Sequence, residues 1–215
     1  MTLITMLTTM SEGMLRTIGI FVLTLVGSLP LGMIVALLRK SRFSAIRLLI
    51  RVYISVIRGT PLMLQLLVWY FGPYYLFGWS IRGWRFPALI LGFIINYAAY
   101  FAEIYRGGIE SIPAGQYEAA EVLGYSKGQT FMRIILPQVI KRIMPSVTNE
   151  VITLVKDTSL AFTLAYQEVF SLAKQISASQ TSFMPFLIAG IFYFVANYVV
   201  AFIMERIEKA LDYYK

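Results

Sequence analysis

The sequence predicts an all-α integral membrane protein with five transmembrane helices. Only 14% of its 215 residues are charged and 58% are hydrophobic, whereas about a quarter of the residues in a soluble domain are charged. The apolar residues also form blocks as long as the roughly 20 residues that a helix needs to cross a bilayer. No internal repeat or low-complexity linker divides the chain, so residues 1–215 are expected to form a single membrane domain.

Five apolar stretches are long enough to cross a bilayer. They cover residues 17–38, 62–79, 87–104, 143–165 and 183–204. With these spans in place, 14 of the 19 Lys and Arg residues fall on one side of the membrane and four on the other. Because positive charge accumulates in cytoplasmic loops, we expect the N-terminus outside and the C-terminus in the cytoplasm. An odd number of spans agrees with this arrangement, because it requires the two ends to lie on opposite sides.

The segment between the first two spans, residues 41–60, is apolar but carries several arginines at roughly helical spacing. These are Arg42, Arg47, Arg51 and Arg58. The pattern favours an amphipathic helix at the cytoplasmic interface that leads into the second span. A solvated connector would not need so apolar a second face.

The polar loop between the third and fourth spans, about residues 107–137, has the capping signals of two short helices. Pro113 suits a first helical turn, and Gly124 suits the left-handed residue that ends the helix predicted over 115–123. Ser126 and Gln129 form a capping-box pattern for a second helix, which runs on toward the fourth span. The loop is therefore expected to be rigid. It either transmits force between a soluble partner and the membrane helices or is only structural.

The loop also contains a family signature. Glu118-Ala119-Ala120, Gly124, Ile134 and Leu136-Pro137 stand at the spacing of the EAA motif, and the chain resembles the ABC importer permeases that carry it. Residues 58–72, 98–124 and 148–163 resemble the polar amino-acid permeases, the histidine, arginine, lysine and glutamine group. The resemblance implies that Glu118, Ala119, Ala120 and Gly124 couple the chain to a cytoplasmic ATPase.

The same resemblance implies an assembly in a prokaryotic inner or plasma membrane. Its expected partners are two copies of an ABC ATPase, a second permease subunit (most simply a homodimer), an extracytoplasmic amino-acid-binding protein, the amino-acid substrate and membrane lipid. The sequence has no G-x-x-x-x-G-K-[ST] phosphate loop, so ATP and Mg²⁺ are expected on the ATPase and no cofactor on this chain. With no His and no Cys, we expect neither catalytic residues nor a metal site. The basic residues lie beside the spans, which indicates membrane topology rather than nucleic-acid binding.

Glu150 is the sharpest candidate for substrate binding. It follows Arg142 by eight residues, which places it roughly 12 Å into the membrane core. On a helix it shares a polar face with Ser146, Thr153 and Asp157. Its carboxylate either pairs with a cationic group of the substrate or pairs internally with Arg58 or Lys156.

Donors for a substrate carboxylate are expected near the start of the second span. Thr60 fits an N-cap with Pro61 at the first helical position, which would aim free N–H groups at an anion. Arg58 adds a positive charge, or serves as a surface anchor or ion-pair partner, and Gln65 is a candidate polar wall. Asn149 either contacts the α-amino group or packs against neighbouring helices.

A buried carboxylate favours a cationic substrate, because it is costly when left unpaired. We therefore expect basic L-amino acids: arginine, histidine and lysine. Residues 148–152 also resemble the basic amino-acid permeases more than the glutamine permeases. One alternative is glutamine or broad polar specificity. The other is a proton-coupled secondary transporter that uses Glu150 and Asp157.

Three further local predictions concern polar residues. Glu103 and Arg106 are expected to form an intrahelical pair. Asn96 and Asn197 are expected to hydrogen-bond between helices. Residues 157–159 are expected to interrupt or cap a helix.

Overall fold

The computed structural model describes residues 2–211, and every regular element in that range is helical. The α-helices are α1 (Leu3–Leu38), α2 (Ser44–Gly59), α3 (Leu62–Phe77), α4 (Arg85–Glu110), α5 (Ala114–Val122), α6 (Lys127–Thr130), α7 (Leu136–Asp157), α8 (Val169–Gln180) and α9 (Met184–Ala210). A π-helical turn (Phe131–Ile135) joins α6 to α7, and a 3-10 segment (Thr158–Leu164) follows α7. The predicted all-α fold class is confirmed.

Within residues 2–211, three helices are long and apolar enough to cross a membrane: α1, α4 and α9. A fourth crossing results if α2 and α3, which meet at a bend of 113°, are counted together. The bend lies at Thr60, whose backbone is extended because the proline that follows disfavours helical geometry there. The charged helix α7 is not among these spans, so five crossings stay a prediction.

Several helix bounds differ from the predicted spans, because helices continue past the apolar core of a membrane. α1 begins at Leu3, not at residue 17, and the Thr2 hydroxyl caps it. The predicted stretch 143–165 is not one helix, since α7 ends at Asp157 and the chain continues as a 3-10 segment. The predicted interruption at 157–159 is therefore confirmed. The amphipathic helix predicted over 41–60 is α2.

The main core lies where α1 packs along α4. Phe93, Tyr97 and Phe101 are fully buried there and stack along α4. Gly32 of α1 allows the close approach, because a Cβ atom at this position would lie 2.8 Å from Cβ of Phe101. This contact fixes the face that α4 presents to α7.

A second core joins α1, α8 and α9 around Met10, Val169 and Ile188. The sequence did not predict α8. Its N-cap is Glu168, whose fully buried carboxylate accepts hydrogen bonds from two backbone N–H groups of α8 and from the Tyr193 hydroxyl at 2.9 Å. These bonds satisfy a group that would otherwise be costly to bury.

Candidate functional site

An open groove of about 420 Å³ lies between α4, α7 and the end of α2. Its charged lining residues are Arg58, Glu103, Arg142 and Glu150. The helices approach closely beside the groove, since a Cβ on Gly108 would lie 2.2 Å from a methyl group of Ile143. Two of the predicted site residues, Arg58 and Glu150, are thus brought together.

Glu150 lies on α7 with its side chain half-buried at the groove. Among residues 2–211, no Lys or Arg nitrogen forms a salt bridge with its carboxylate. The internal pairing with Arg58 or Lys156 that the sequence left open is therefore not found in this part of the chain. Ser146, one turn earlier on the same helix, also lines the groove.

Glu103 lies among three arginines. Its carboxylate forms ion pairs with Arg39 of α1 and, at 2.7 Å, with Arg106, and it lies 3.9 Å from the guanidinium of Arg58. The predicted Glu103–Arg106 pair is confirmed. Of the two carboxylates that line the groove, Glu103 is thus paired, whereas Glu150 has no ion pair among the described residues.

Arg58 faces the groove from the end of α2. Its guanidinium lies over the Tyr100 ring, 5.3 Å from the ring centroid, and its side chain remains partly exposed. The attraction to Glu103 at 3.9 Å matches the ion-pair alternative for this residue. Arg58 therefore has a structural partner in Glu103 and also lines the groove.

The prediction that Thr60 is the N-cap of α3 is wrong. Pro61 is the N-cap, α3 begins at Leu62, and the Thr60 hydroxyl donates to the Val56 carbonyl at 2.8 Å. The Thr60 hydroxyl therefore bonds to the last turn of α2 and not to the first turn of α3, because the bend before Pro61 leaves Thr60 closer to α2. Among the residues that the structure describes, no side chain caps the first N–H groups of α3.

Gln65 is buried behind this turn and does not line the groove. Its side-chain N–H group donates to the Ile57 carbonyl at 2.8 Å and to both oxygens of Thr60. Its oxygen accepts a hydrogen bond from Asn96 at 2.9 Å, which confirms Asn96 as an interhelical link. Asn197 instead donates to the Tyr193 carbonyl of its own helix.

The remaining polar residues of α7 fall into two groups. Asn149 is exposed and outside the groove, since neighbouring residues on a helix point about 100° apart. Asp157 accepts a 2.7 Å hydrogen bond from Tyr97 of α4, an interaction that sequence reasoning missed. The available signal in the sequence was the seven-residue spacing between Glu150 and Asp157, which places both side chains on one face of α7.

The two predicted loop helices and the caps at Gly124 and Ser126 are confirmed, whereas Pro113, predicted in the first turn, is instead the N-cap of α5. Gly124 follows α5 with φ of +77°, and the N–H groups of Gly124 and Tyr125 bond back to the carbonyls of Glu121 and Ala120. These two bonds form the motif that ends a helix at a left-handed residue. Ser126 and Gln129 make both hydrogen bonds of a capping box at the start of α6.

The loop presents an exposed apolar tip. Val122 and Leu123 are 88% and 73% exposed, and neither belongs to the EAA motif. Glu118 and Ala119 are also exposed. Ala120 is only 1% exposed, so its methyl group packs inside the loop and positions α5. Beyond this tip, the chain runs as one continuous helical segment through α6, the π turn and α7 to the groove.

Comparison with known proteins gives one consistent family. The family model described as binding-protein-dependent transport system inner membrane component matches residues 28–213. The arginine transport system permease protein ArtQ of Bacillus subtilis is 37% identical over 201 residues, covering 93% of this chain and 91% of that protein. The putative glutamine transport system permease protein GlnP of Rickettsia bellii is 36% identical, with the same coverage. The L-cystine transport system permease protein TcyB of Bacillus subtilis is 34% identical over 208 residues, covering 95% and 87%.

Solved structures share the fold. An amino acid ABC transporter crystallised with histidines contains a chain that matches with a TM-score of 0.86 and 32% identity, over 94% of both chains. The MetNI methionine ABC transporter matches in fold alone, with a TM-score of 0.73 at 18% identity, over 98% and 99% of the chains. The chain therefore belongs to the family of inner membrane components of binding-protein-dependent transport systems, and it is a multi-pass permease subunit of an ABC transporter.

Proposed function

We propose that this chain forms the translocation pathway of an ATP-driven importer that carries basic L-amino acids, namely arginine, histidine and lysine, into the cytoplasm. The observation that carries the proposal is Glu150, a half-buried carboxylate that lines the groove without an ion pair among the described residues. A cationic side chain would supply the missing positive charge through a charge-assisted hydrogen bond. A neutral side chain would leave the carboxylate unpaired, and an acidic one would be repelled.

The relatives alone do not decide the specificity, because their names refer to arginine, glutamine and cystine. The charge distribution of the groove favours the basic amino acids over glutamine or broad polar specificity. Glu103 already has arginine partners, so Glu150 is left to discriminate. Arg58 and Arg142, on the same groove, supply donors for the α-carboxylate of an amino acid.

The proposed site has an inner and a supporting set of residues. Glu150 and Arg58 contact the substrate. Thr60 and Gln65 hold the turn that carries Arg58, since their side chains bond to each other and to the end of α2. Contact between Asn149 and the α-amino group stays a prediction.

The proposed assembly contains two copies of this chain and two ATPase subunits that bind ATP and Mg²⁺. The N-terminus lies outside, the C-terminus lies in the cytoplasm, and a binding protein delivers the substrate from outside. The exposed loop tip, with Glu118, Ala119, Val122 and Leu123, docks on the ATPase. Its two caps support this role, because a rigid loop transmits displacement to α7.

The proposal is tested by transport in lipid vesicles. The chain is co-purified with its ATPase, reconstituted, and supplied with the binding protein outside and ATP inside. Uptake of arginine, histidine, lysine and glutamine is measured for the wild type, Glu150→Gln and the control Glu12→Gln, which alters an exposed carboxylate of α1 away from the groove. We expect Glu150→Gln to lower arginine uptake at low substrate concentration by roughly 10–100-fold, since a hydrogen bond to a charged group is lost. The control should transport normally.

Two other outcomes would each refute a part of the proposal. Equal uptake of glutamine and arginine by the wild type and by Glu150→Gln would refute basic specificity and leave an amino-acid importer of broad specificity. Uptake that follows a proton gradient without ATP would refute the importer mechanism in favour of the secondary transporter. Membership of a binding-protein-dependent family argues against that second outcome.

A further inference from the structure

Helix α2 carries two arginines, Arg47 and Arg51, that the transport proposal does not use. The segment 39–58 contains six basic residues and no acidic residue. Three of the arginines, Arg47, Arg51 and Arg58, are spaced by four and seven and therefore form one stripe along α2. Because this segment has no acidic residue, any ion-pair partner of the stripe must come from elsewhere.

The partners of these three arginines differ. Arg58 turns toward Glu103 at 3.9 Å. Arg47 donates to the backbone carbonyls of Ser41 and Arg42, at 2.8 and 3.0 Å, and forms no salt bridge with a carboxylate of residues 2–211. Among residues 2–211, no carboxylate forms a salt bridge with Arg51. Arg47 and Arg51 line a shallow groove of about 340 Å³ together with Ser44 and Leu48.

The stripe borders an apolar surface that points away from the protein. Leu48, Leu49, Val52 and Val56 are each more than half exposed. The opposite side of α2 is already covered, since Ile50 and Ile54 are buried in the core and the Tyr53 hydroxyl donates to the Ile95 carbonyl of α4 at 2.6 Å. The helix is therefore fixed to the bundle and turns a second apolar face outward.

An outward apolar face edged by unneutralised arginines matches the chemistry of an anionic phospholipid. We propose that the groove between Arg47 and Arg51 binds the phosphate of such a lipid, and that its acyl chains lie on the face formed by Leu48, Leu49, Val52 and Val56. Guanidinium groups bind phosphate oxygens through paired N–H donors, and each basic residue near a membrane surface adds to the attraction for anionic lipid. The proposal does not depend on which amino acid is transported.

The test is lipid retention by the complete transporter. The permease and its ATPase are purified together in detergent and titrated with phosphatidylglycerol or phosphatidylcholine, and bound lipid is counted by native mass spectrometry. The wild type should retain phosphatidylglycerol in preference to phosphatidylcholine. Arg47→Gln with Arg51→Gln should weaken phosphatidylglycerol binding about 30-fold, or about fivefold for each charge. Arg82→Gln with Arg206→Gln removes the same charge elsewhere and should leave this binding unchanged.

Arg47 also ties the turn between α1 and α2, so the single variant Arg51→Gln serves as the second test, with an expected loss of about fivefold from the removal of one charge. Equal retention by the wild type and both variants would overturn the proposal. Displacement by glycerol 3-phosphate at concentrations equal to the lipid would also overturn it, because the groove would then be a site for free phosphate. Dissociation of two permease copies in Arg51→Gln, with lipid retention unchanged, would assign the face to a second copy of the chain instead.

Discussion

The side-chain amide of Asn96, on α4, donates a 2.9 Å hydrogen bond to the side-chain oxygen of Gln65, on α3. Gln65 in turn bonds to Thr60 and Ile57 at the bend that carries Arg58. A buried amide of α4 thus determines how the end of α2 faces the groove.

Replacing Asn96 with Ala should destabilise the protein. Gln65 would lose its partner in a buried site, which costs roughly 1 kcal/mol for a hydrogen bond between membrane helices. Thermal unfolding of the purified transporter in detergent measures the change. Asn197→Ala is the matched control, because the hydrogen bond of Asn197 within residues 2–211 is to a carbonyl of its own helix. Equal shifts for the two variants would show that the link to Gln65 has no particular weight.

Gly124→Ala should uncouple ATP hydrolysis from transport. Gly124 has φ of +77°, and a Cβ atom added there would meet no neighbouring atom within 4 Å, so the cost is backbone strain of about 1–2 kcal/mol rather than a clash. The strain would disturb the end of α5 next to the exposed tip. The ratio of amino acid transported to ATP hydrolysed is the measurement. Gly128→Ala, in the same loop with equally open surroundings and no positive φ, should behave as the wild type.

Ser126→Ala should loosen the start of α6. The capping box would lose the hydrogen bond that its hydroxyl accepts from the Gln129 N–H, at a cost of about 1 kcal/mol. Amide hydrogen exchange across residues 126–131 should become faster. Ser126→Thr keeps a capping hydroxyl and should restore slow exchange, whereas fast exchange in both variants would argue against the cap as the cause.

Tyr97→Phe should weaken the attachment of α7 to α4. The 2.7 Å hydrogen bond from the Tyr97 hydroxyl to Asp157 would be lost while the ring still fills the core. We expect lower thermal stability, by about 1–3 kcal/mol, because a hydrogen bond to an acidic group is broken in a buried site. Tyr75→Phe alters an exposed tyrosine and provides the baseline. An unchanged melting temperature for Tyr97→Phe would contradict the assignment.

The parts of the structure that sequence reasoning predicted correctly are those set by local chemistry. The cap at Ser126, the left-handed residue Gly124 and the amphipathic α2 each depend on residues a few positions apart. The interactions that stabilise these three features do not depend on contacts with distant parts of the chain. The same reasoning located Glu150 on the polar face of α7.

The parts that were missed depend on contacts between distant segments. Glu103 gains its Arg39 partner from a helix 64 positions earlier in the chain, and no local pattern encodes that pairing. α8 is short, and its N-cap Glu168 accepts a hydrogen bond from Tyr193 of α9, 25 positions later in the chain. Thr60 followed by Pro61 matches the sequence pattern of an N-cap. Because of the direction of the bend, the Thr60 hydroxyl instead donates to the Val56 carbonyl of the preceding helix.

The π turn at Phe131–Ile135 fixes the angle at which the loop tip stands around the axis of the long helix that ends at Asp157. A π turn holds one residue more than an α-helical turn, and each residue of an α-helix advances the direction of a side chain by about 100°. Deleting one residue there would restore a regular helix, leave Glu150 in place and swing the tip about a quarter of the way around the axis. The azimuth of the loop tip relative to the groove is therefore set by one inserted residue.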